Sequence, residues 1–282
     1  MTSLTIALTR YKEPNAILWA CLAALSRQTG VKGRVILMDQ MDCRETRARC
    51  EFLSGESITF DYRVVAVTGC SEARNLAVGL CETEILLWTD PDILAAPDWA
   101  RILSNVLMAN QADIAGGKIL PLWHAKPRWY VTTRVMADHY SLMDLGDDTR
   151  PVDRLIGGSL GMHIRRLGDQ ARFDPRLGRQ GGTLLGGIDA EFCERALANG
   201  FRVNYVGRAV VHHQIPPERT TLSWMARKFY YGGLSRGLRG GRPRPMNQAR
   251  TLSDYIVLTS FAPLYLAGLW SAKRRERKPR AC

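Results

Sequence analysis

The sequence predicts an α/β fold: a mixed, mostly parallel sheet flanked by helices, with a basic helical extension at its C-terminal end. Three observations predict it. Short, wholly apolar runs such as Val35-Ile36-Leu37-Met38 and Ile85-Leu86-Leu87-Trp88 read as strands buried on both faces, as parallel strands are. Segments with apolar residues at helical spacing lie between them. The charge is also divided. Residues 219–282 hold 14 of the 39 Lys and Arg but only Asp254 and Glu276 of the 27 acids, so they carry the whole net charge of +12.

Leu4–Leu8 is the first strand, ended by the polar stretch Thr9 to Pro14. The helix that follows sets Ile17, Leu18, Cys21, Leu22 and Leu25 on one face. Val35–Met38 is the second strand and stops at Asp39-Gln40; Arg63–Val67 is the third. Ser71 to about Cys81 is a helix, and Glu84–Thr89 is a strand ending at Asp90. Pro97-Asp98-Trp99 starts another helix. This β-α-β order makes the first strands parallel. Further on, Ala112–Leu120 is a strand, and 121–155 is a loop holding Trp123, Trp129 and Tyr130. Ile156–Ile164 is a glycine-rich strand, and a helix runs from Asp189 to about Asn199, stopped by Gly200. Phe201–Val211 is the last strand and runs into His212-His213. The chain divides at 110 and 215, leaving an extension, 216–282, with an apolar segment at 255–270.

The apolar and charged fractions, 46% and 23%, are those of an ordinary globular protein. Seven cysteines without any C-x-x-C predict a reducing compartment and no structural zinc. A strand that begins at Leu4 predicts no signal peptide.

Asp90-Pro91-Asp92 leaves its strand where open α/β sheets hold their ligands, outside the carboxyl ends of the strands. Pro91 stiffens the turn. Two carboxylates this close repel unless a cation lies between them. Hard divalent ions accept such oxygens and complete their shell with substrate phosphates. A plainer reading also stands, with Asp90 as a helix cap and Asp92 solvated.

Several segments in order carry a family resemblance. They are Leu8-Thr9-Arg10-Tyr11-Lys12-Glu13, Met38-Asp39, Gly69-Cys70-Ser71-Glu72-Ala73-Arg74-Asn75, Asp90-Pro91-Asp92, Ile188-Asp189-Ala190-Glu191, and His212 or His213 after the last strand. Over roughly residues 4–240 the chain resembles the inverting glycosyltransferases of family 2. The resemblance implies the GT-A fold, a Rossmann-like sheet whose half 1–110 binds nucleotide and whose half 111–215 binds acceptor. It implies a nucleotide-sugar donor, UDP-linked, and a hydroxyl acceptor.

The resemblance also implies roles. Asp39 accepts a hydrogen bond from the nucleobase. Thr9, Tyr11 and Glu13 form the lip of the nucleotide pocket, with Tyr11 covering the base or packed as a surface aromatic. Arg74 reaches ribose or diphosphate, or forms a surface ion pair. Asp90 lies toward the sugar or ribose, and Glu191 joins the donor site. Asp92 ligates Mn²⁺ or Mg²⁺ with one imidazole, ions that suit carboxylate, imidazole and phosphate together. Adjacent strand residues face opposite sides, so only one of His212 and His213 can serve; His212 is preferred because it follows the apolar strand directly. Asp189 is the general base, although Asp is also a favoured helix cap. Ile188 stands where the family pattern has Glu, which leaves the acceptor type open. The whole nucleotide site is expected within the first 213 residues.

The apolar run Tyr255–Trp270 spans ~24 Å as a helix, short of a ~30 Å hydrocarbon core, and Pro263 interrupts it. An interfacial hairpin or helix is expected rather than a span. Six Lys and Arg follow Trp270, each adding ~1 kcal/mol near an anionic leaflet. A helix packed on the domain is the alternative. The expected location is cytoplasmic, peripheral at the inner face of the membrane, with a lipid-linked or cell-surface glycan precursor as acceptor. Two other classes compete. A nucleotidyltransferase wants a glycine-rich phosphate loop after the first strand, and Thr9 to Pro14 lacks that glycine. A nucleic-acid-binding protein has its candidate surface at 224–244, but the neutral body and the strand-end acids do not fit it, so no nucleic acid partner is expected.

Overall fold

The computed structural model describes residues 2–66, 69–179, 181–240 and 249–276. The first half alternates strands and helices: β1 (Thr2–Arg10), α1 (Asn15–Ser26), β2 (Val31–Asp39), α2 (Arg44–Leu53), β3 (Ile58–Val64), α3 (Cys70–Gly79) and β4 (Ile85–Trp88). After the acidic turn come β5 (Ile93–Ala95), α4 (Trp99–Met108), β6 (Ile114–Trp123), α5 (Arg134–His139), β7 (Thr149–Pro151) and β8 (Leu160–His163). The chain ends with α6 (Ile164–Leu167), α7 (Ile188–Ala198), β9 (Val203–Ile215), α8 (Leu222–Leu238) and α9 (Leu252–Glu276).

Among the described residues nine strands form one sheet in the order β3-β2-β1-β4-β8-β6-β9-β5, with β7 added against β9. β3, β2, β1 and β4 are parallel neighbours; β8 is antiparallel to β4 and β6, and β6 runs parallel to β9. The apolar runs are strands because both of their faces are covered. Ile6, Leu8 and Leu87 join Leu18 and Leu22 of α1 and Trp99 and Leu103 of α4 in one core. Ala7, Leu86 and Trp88 point the other way, to Ala73 of α3 and Phe192 of α7. Each fully buried large side chain contributes about 1.5–3 kcal/mol. The strand order reverses at β1, with β2 on one side and β4 on the other, so a crevice opens at the carboxyl ends of these parallel strands.

Several elements differ from the sequence expectation. The third strand lies earlier, at Ile58–Val64, because Thr59, Asp61 and Arg63 alternate with Phe60 and Tyr62 on a half-exposed edge strand rather than forming an apolar run; Val67 lies outside the described residues. α2 went unseen because only Thr46 and Cys50 of its ten residues are buried. The expected loop 121–155 holds the end of β6, α5 and β7. The glycine-rich strand shortens to β8, since Gly157–Ser159 is a 3-10 turn. The six cysteines among the described residues are free thiols.

The extension is helical and packed. Phe229 stacks on Phe261, Gly233 meets Tyr265, and Gly237 meets Leu269 and Ala272, so α8 and α9 run parallel. Glycine permits this approach: a Cβ on Gly233 would sit 1.9 Å from the Tyr265 carbonyl oxygen, and one on Gly268 2.0 Å from that of Tyr230. Asp254 pins the start of α9, accepting from the backbone N–H of Arg134 at 2.8 Å and of Arg250 and Thr251 at 3.0 Å. α9 continues through Pro263 as one helix, not a hairpin. Its Leu252–Arg274 stretch is long and apolar enough to cross a membrane by length and composition, with mean hydropathy 1.4. One side faces α8, while Leu252, Ile256, Leu264 and Trp270 face outward. Of the basic run after Trp270, only the Lys273 and Arg274 side chains lie among the described residues.

Candidate active site

A cleft of about 800 Å³ opens at the carboxyl ends of β1 and β4. Thr9, Tyr11, Glu13, Arg74, Asp90, Asp92 and Asp189 line it, together with His213. Lys228, Phe229 and Ser235 of α8 and Leu258, Ala262 and Leu266 of α9 complete its wall.

Arg74 stands at the centre of one wall. It projects from α3 over the rings of Trp88 and Phe173, at 5.5 and 5.3 Å. Its Nη1 donates to Asp189 Oδ1 at 2.5 Å, and its Nη2 reaches Asp90 Oδ1 at 3.4 Å. A Cβ on Gly157 would come within 2.6 Å of both the guanidinium and Asp189, so the bare backbone of Gly157 is what lets the pair close. Burial, with Asp92 and Asp189 nearby, raises the pKa of Asp90 although Arg74 opposes this.

The facing wall is built by strand pairing. β5 pairs antiparallel with β9, setting Ile93 opposite His213 and Leu94 opposite His212. The Gln214 N–H donates to the Asp92 carbonyl oxygen at 2.8 Å and locks this register. His213 therefore turns to Asp92, with Nε2 3.2 Å from Oδ2. This corrects the preference for His212: the two residues alternate across the strand, and His212 takes the face away from the cleft.

Asp92 and His213 can hold a divalent ion. Two cis ligands of an octahedral ion at about 2.1 Å lie about 3.0 Å apart, close to the observed 3.2 Å. The Tyr140 carbonyl oxygen lies 2.7 Å from His213 Nδ1, which fixes the ring and directs Nε2 into the site. No third His, Cys, Asp or Glu joins the pair among the described residues. The remaining ligands would have to come from substrate and water, a pattern that suits Mg²⁺ or Mn²⁺ with a diphosphate.

Two expected site residues are placed elsewhere. Asp39 is fully buried behind the cleft, where it accepts from Arg10 Nη1 at 3.2 Å, Tyr62 Oη at 2.8 Å and Met41 N at 2.8 Å. A buried guanidinium needs an anion beside it, and Asp39 is that anion; its neighbour Gln40 lines the cleft instead. Glu191 binds Arg195 Nε at 2.8 Å on the flank of α7. Helical residues two apart cannot share a face, so Asp189 and Glu191 diverge. Ile188 packs into the core beneath the site. Glu13 folds back on its own loop, accepting from Tyr11 N at 2.9 Å.

The site is not confined to the first 213 residues. Arg219, in the turn after β9, donates to Asp92 Oδ2 at 2.7 Å. Lys228 also lines the cleft; burial, with Arg179 and Arg219, pushes its pKa down to about 7. The charge boundary at 219 marked these cations in the sequence, but nothing local to them says that they face the acids.

A family model described as Glycosyl transferase family 2 matches residues 5–147, half of the chain. Over 171 residues the chain is 25% identical to the glucosyl-dolichyl phosphate glucuronosyltransferase of Haloferax volcanii, covering 60% of this chain. It spans only 55% of that protein's own length. It is 26% identical over 242 residues to the succinoglycan biosynthesis protein ExoM of Rhizobium meliloti, covering 82% of this chain and 73% of that one. Among solved structures, the mannosyltransferase PcManGT from Pyrobaculum calidifontis in complex with GDP-Man and Mn²⁺ superposes with a TM-score of 0.60. That match has 16% identity and covers 96% of this chain and 72% of the other; it is a likeness of fold, the GT-A fold.

Proposed function

Because the chain belongs to glycosyl transferase family 2, we propose that it moves a sugar from a nucleotide-diphosphate donor to a hydroxyl acceptor, with inversion at the anomeric carbon. One observation carries the reading. Asp189, clamped by Arg74 at 2.5 Å, stands in the same cleft as the Asp92–His213 pair at the end of β4. A proton acceptor and a cation-binding pair in one cleft are what such a displacement needs.

The acceptor oxygen attacks the anomeric carbon from the side opposite the diphosphate. A new C–O bond forms as the bond to the phosphate oxygen breaks. The hydroxyl proton passes to Asp189; Arg74 engages Oδ1 and leaves Oδ2 for it. The electron pair departs with the nucleoside diphosphate. Asp92 and His213 would hold a divalent ion, which would supply charge neutralisation for the leaving diphosphate. Arg219 beside Asp92 and Lys228 in the cleft wall add positive charge when protonated. Thr9 and Tyr11 form the lip over the nucleotide, while Asp39 positions that lip from behind through Arg10. Residues 1–110 carry the nucleotide and 111–215 the acceptor, and α8 and α9 of the extension close the cleft.

Further along, the cleft changes from acids and cations to the apolar side chains of α9. That gradient supports an amphiphilic acceptor, a lipid-linked or cell-surface glycan precursor, delivered at the inner face of a membrane on which α9 rests. The Haloferax relative, a glucosyl-dolichyl phosphate glucuronosyltransferase, and the Rhizobium relative, a succinoglycan biosynthesis protein, support the same reading.

The test is to incubate the full chain with a panel of nucleotide sugars, with Mn²⁺ or Mg²⁺ and with excess chelator, and to follow nucleoside diphosphate release and product anomer by NMR. Metal-dependent release with an inverted product is expected. Full activity in chelator would remove the metal from the reading, and a retained configuration would remove Asp189 as the base.

A further inference from the structure

Arg219 Nη1 lies 2.7 Å from Asp92 Oδ2 and 3.3 Å from His213 Nε2, and those two atoms are 3.2 Å apart. The three atoms form a closed triangle. A backbone carbonyl can only accept, so the 2.7 Å contact from the Tyr140 oxygen places the ring proton on His213 Nδ1. Arg219 Nη1 donates to Asp92 Oδ2 and also lies beside His213 Nε2, so the guanidinium sits next to both atoms that would hold an ion. The carboxylate thus already has a cation beside it, and Arg219 supplies that charge. Its position is built rather than incidental. Its backbone carbonyl accepts from the Tyr140 hydroxyl at 2.9 Å, and the Tyr140 ring stacks on Trp224 at 5.0 Å and 6°. The tyrosine that orients the imidazole therefore also anchors the arginine.

We propose that Arg219 is an internal cation that holds Asp92 and His213 together in the donor-free enzyme, and that a divalent ion enters this pair only by displacing it. The inference rests on the metal reading of the site and goes beyond it. A free ion must break the Arg219–Asp92 contact and leave a half-buried guanidinium without its anion, so it binds weakly. An ion that arrives with a diphosphate brings oxygens for the displaced guanidinium, which suits such acceptors as a bidentate donor. Metal and donor affinity are then coupled through one side chain, and the coupling is reciprocal. Arg219 acts here as a positioning residue: it keeps the two ligands at metal-ready spacing and discriminates against the ion alone.

The test is direct Mn²⁺ binding to the full chain, read by EPR as loss of the free-ion signal, with and without UDP or GDP. Wild type, Arg219→Ala, Arg219→Gln, Arg219→Lys and Asp92→Ala are compared, and thermal melts establish that each folds. Without nucleotide, Arg219→Ala and Arg219→Gln are expected to bind Mn²⁺ at least about tenfold more tightly than wild type, a coupling of ordinary size. Arg219→Lys keeps the charge and should stay close to wild type. Nucleotide should narrow the gap. If wild type binds Mn²⁺ with nucleotide but neither neutral variant gains affinity without it, the metal reading stands and the role given to Arg219 is overturned. If no chain binds Mn²⁺ even with nucleotide, the metal reading fails and takes this inference with it.

Discussion

Arg74 holds Asp189 at 2.5 Å with one terminal nitrogen and reaches Asp90 at 3.4 Å with the other. One buried guanidinium thus sets the spacing between a carboxylate at the start of α7 and one in the turn after β4. The two come from segments 99 residues apart in the chain.

Asp189→Asn keeps the shape but cannot take a proton; Gly187, not Asp189, caps α7. We expect kcat to fall by at least ~10²-fold, within the range for loss of a general base, with donor affinity nearly unchanged. Arg74→Lys replaces a fork with a point charge that cannot reach both carboxylates, so it should lower kcat as well. Steady-state kinetics with calorimetric donor titration decides this. Near wild-type turnover in Asp189→Asn would leave that residue as a partner of Arg74 and not the base.

The two histidines give a clean contrast. His213→Ala removes the imidazole beside Asp92 and should raise the Mn²⁺ concentration for half-maximal turnover at least about tenfold. His212→Ala alters the other face of β9 and should leave it near wild type. Asp92→Ala should abolish activity in a folded chain. Equal effects from the two histidines would mean that strand alternation does not govern the site.

Lys228 predicts a pH dependence. Burial, with Arg179 and Arg219, lowers its pKa to about 7 in the free enzyme, whereas an unfolded lysine titrates near 10.4. The unfolded chain then binds more protons between these values, so this group makes stability rise with pH across that window. A bound diphosphate favours the charged form, so donor binding should take up a proton above pH 7 and weaken as pH rises. Calorimetry from about pH 6 to pH 9 in buffers of different ionisation enthalpy measures it. Lys228→Met should flatten the slope; an unchanged slope would exclude Lys228 as the linked group.

The extension invites two separable changes. Ile256, Leu264 and Trp270 face outward and away from the cleft, so changing all three to Ser should weaken binding to anionic vesicles while the melting temperature holds. Salt should weaken the wild-type chain's binding too, through screening. Gly233→Val drives a side chain into the Tyr265 backbone and should cost about 1–3 kcal/mol as an overpacking change, seen as a lower melting temperature. Deleting 252–282 would strip Phe261 from Phe229, so it is expected to destabilise the chain rather than merely release an anchor. Equal vesicle co-sedimentation by the triple variant and wild type would leave α9 as a packed wall and nothing more.

The sequence by itself determined the parallel half of the sheet. β1, β2 and β4 are buried on both faces, and that burial writes itself locally as an unbroken apolar run. It also determined that Asp90 and Asp92 follow β4 and that Asp189 opens a helix, because strand exits and helix starts are short-range features. Only the tertiary structure decided the rest. β3 and α2 are half-exposed, so their patterns are too sparse to read. The choice of His213 over His212 comes from the register of β5 on β9, more than a hundred residues apart in the chain. Asp39 was claimed by Arg10 on the neighbouring strand, whereas Glu191 is held by Arg195 four residues along the same helix, a pairing its spacing already contains. Arg219 reached Asp92 from the turn after β9, and Lys228 reached the cleft because α8 folds back over the carboxyl ends of the strands. Periodicity records whether a residue is covered; which charge it meets depends on contacts between distant segments, and those exist only once the chain has closed.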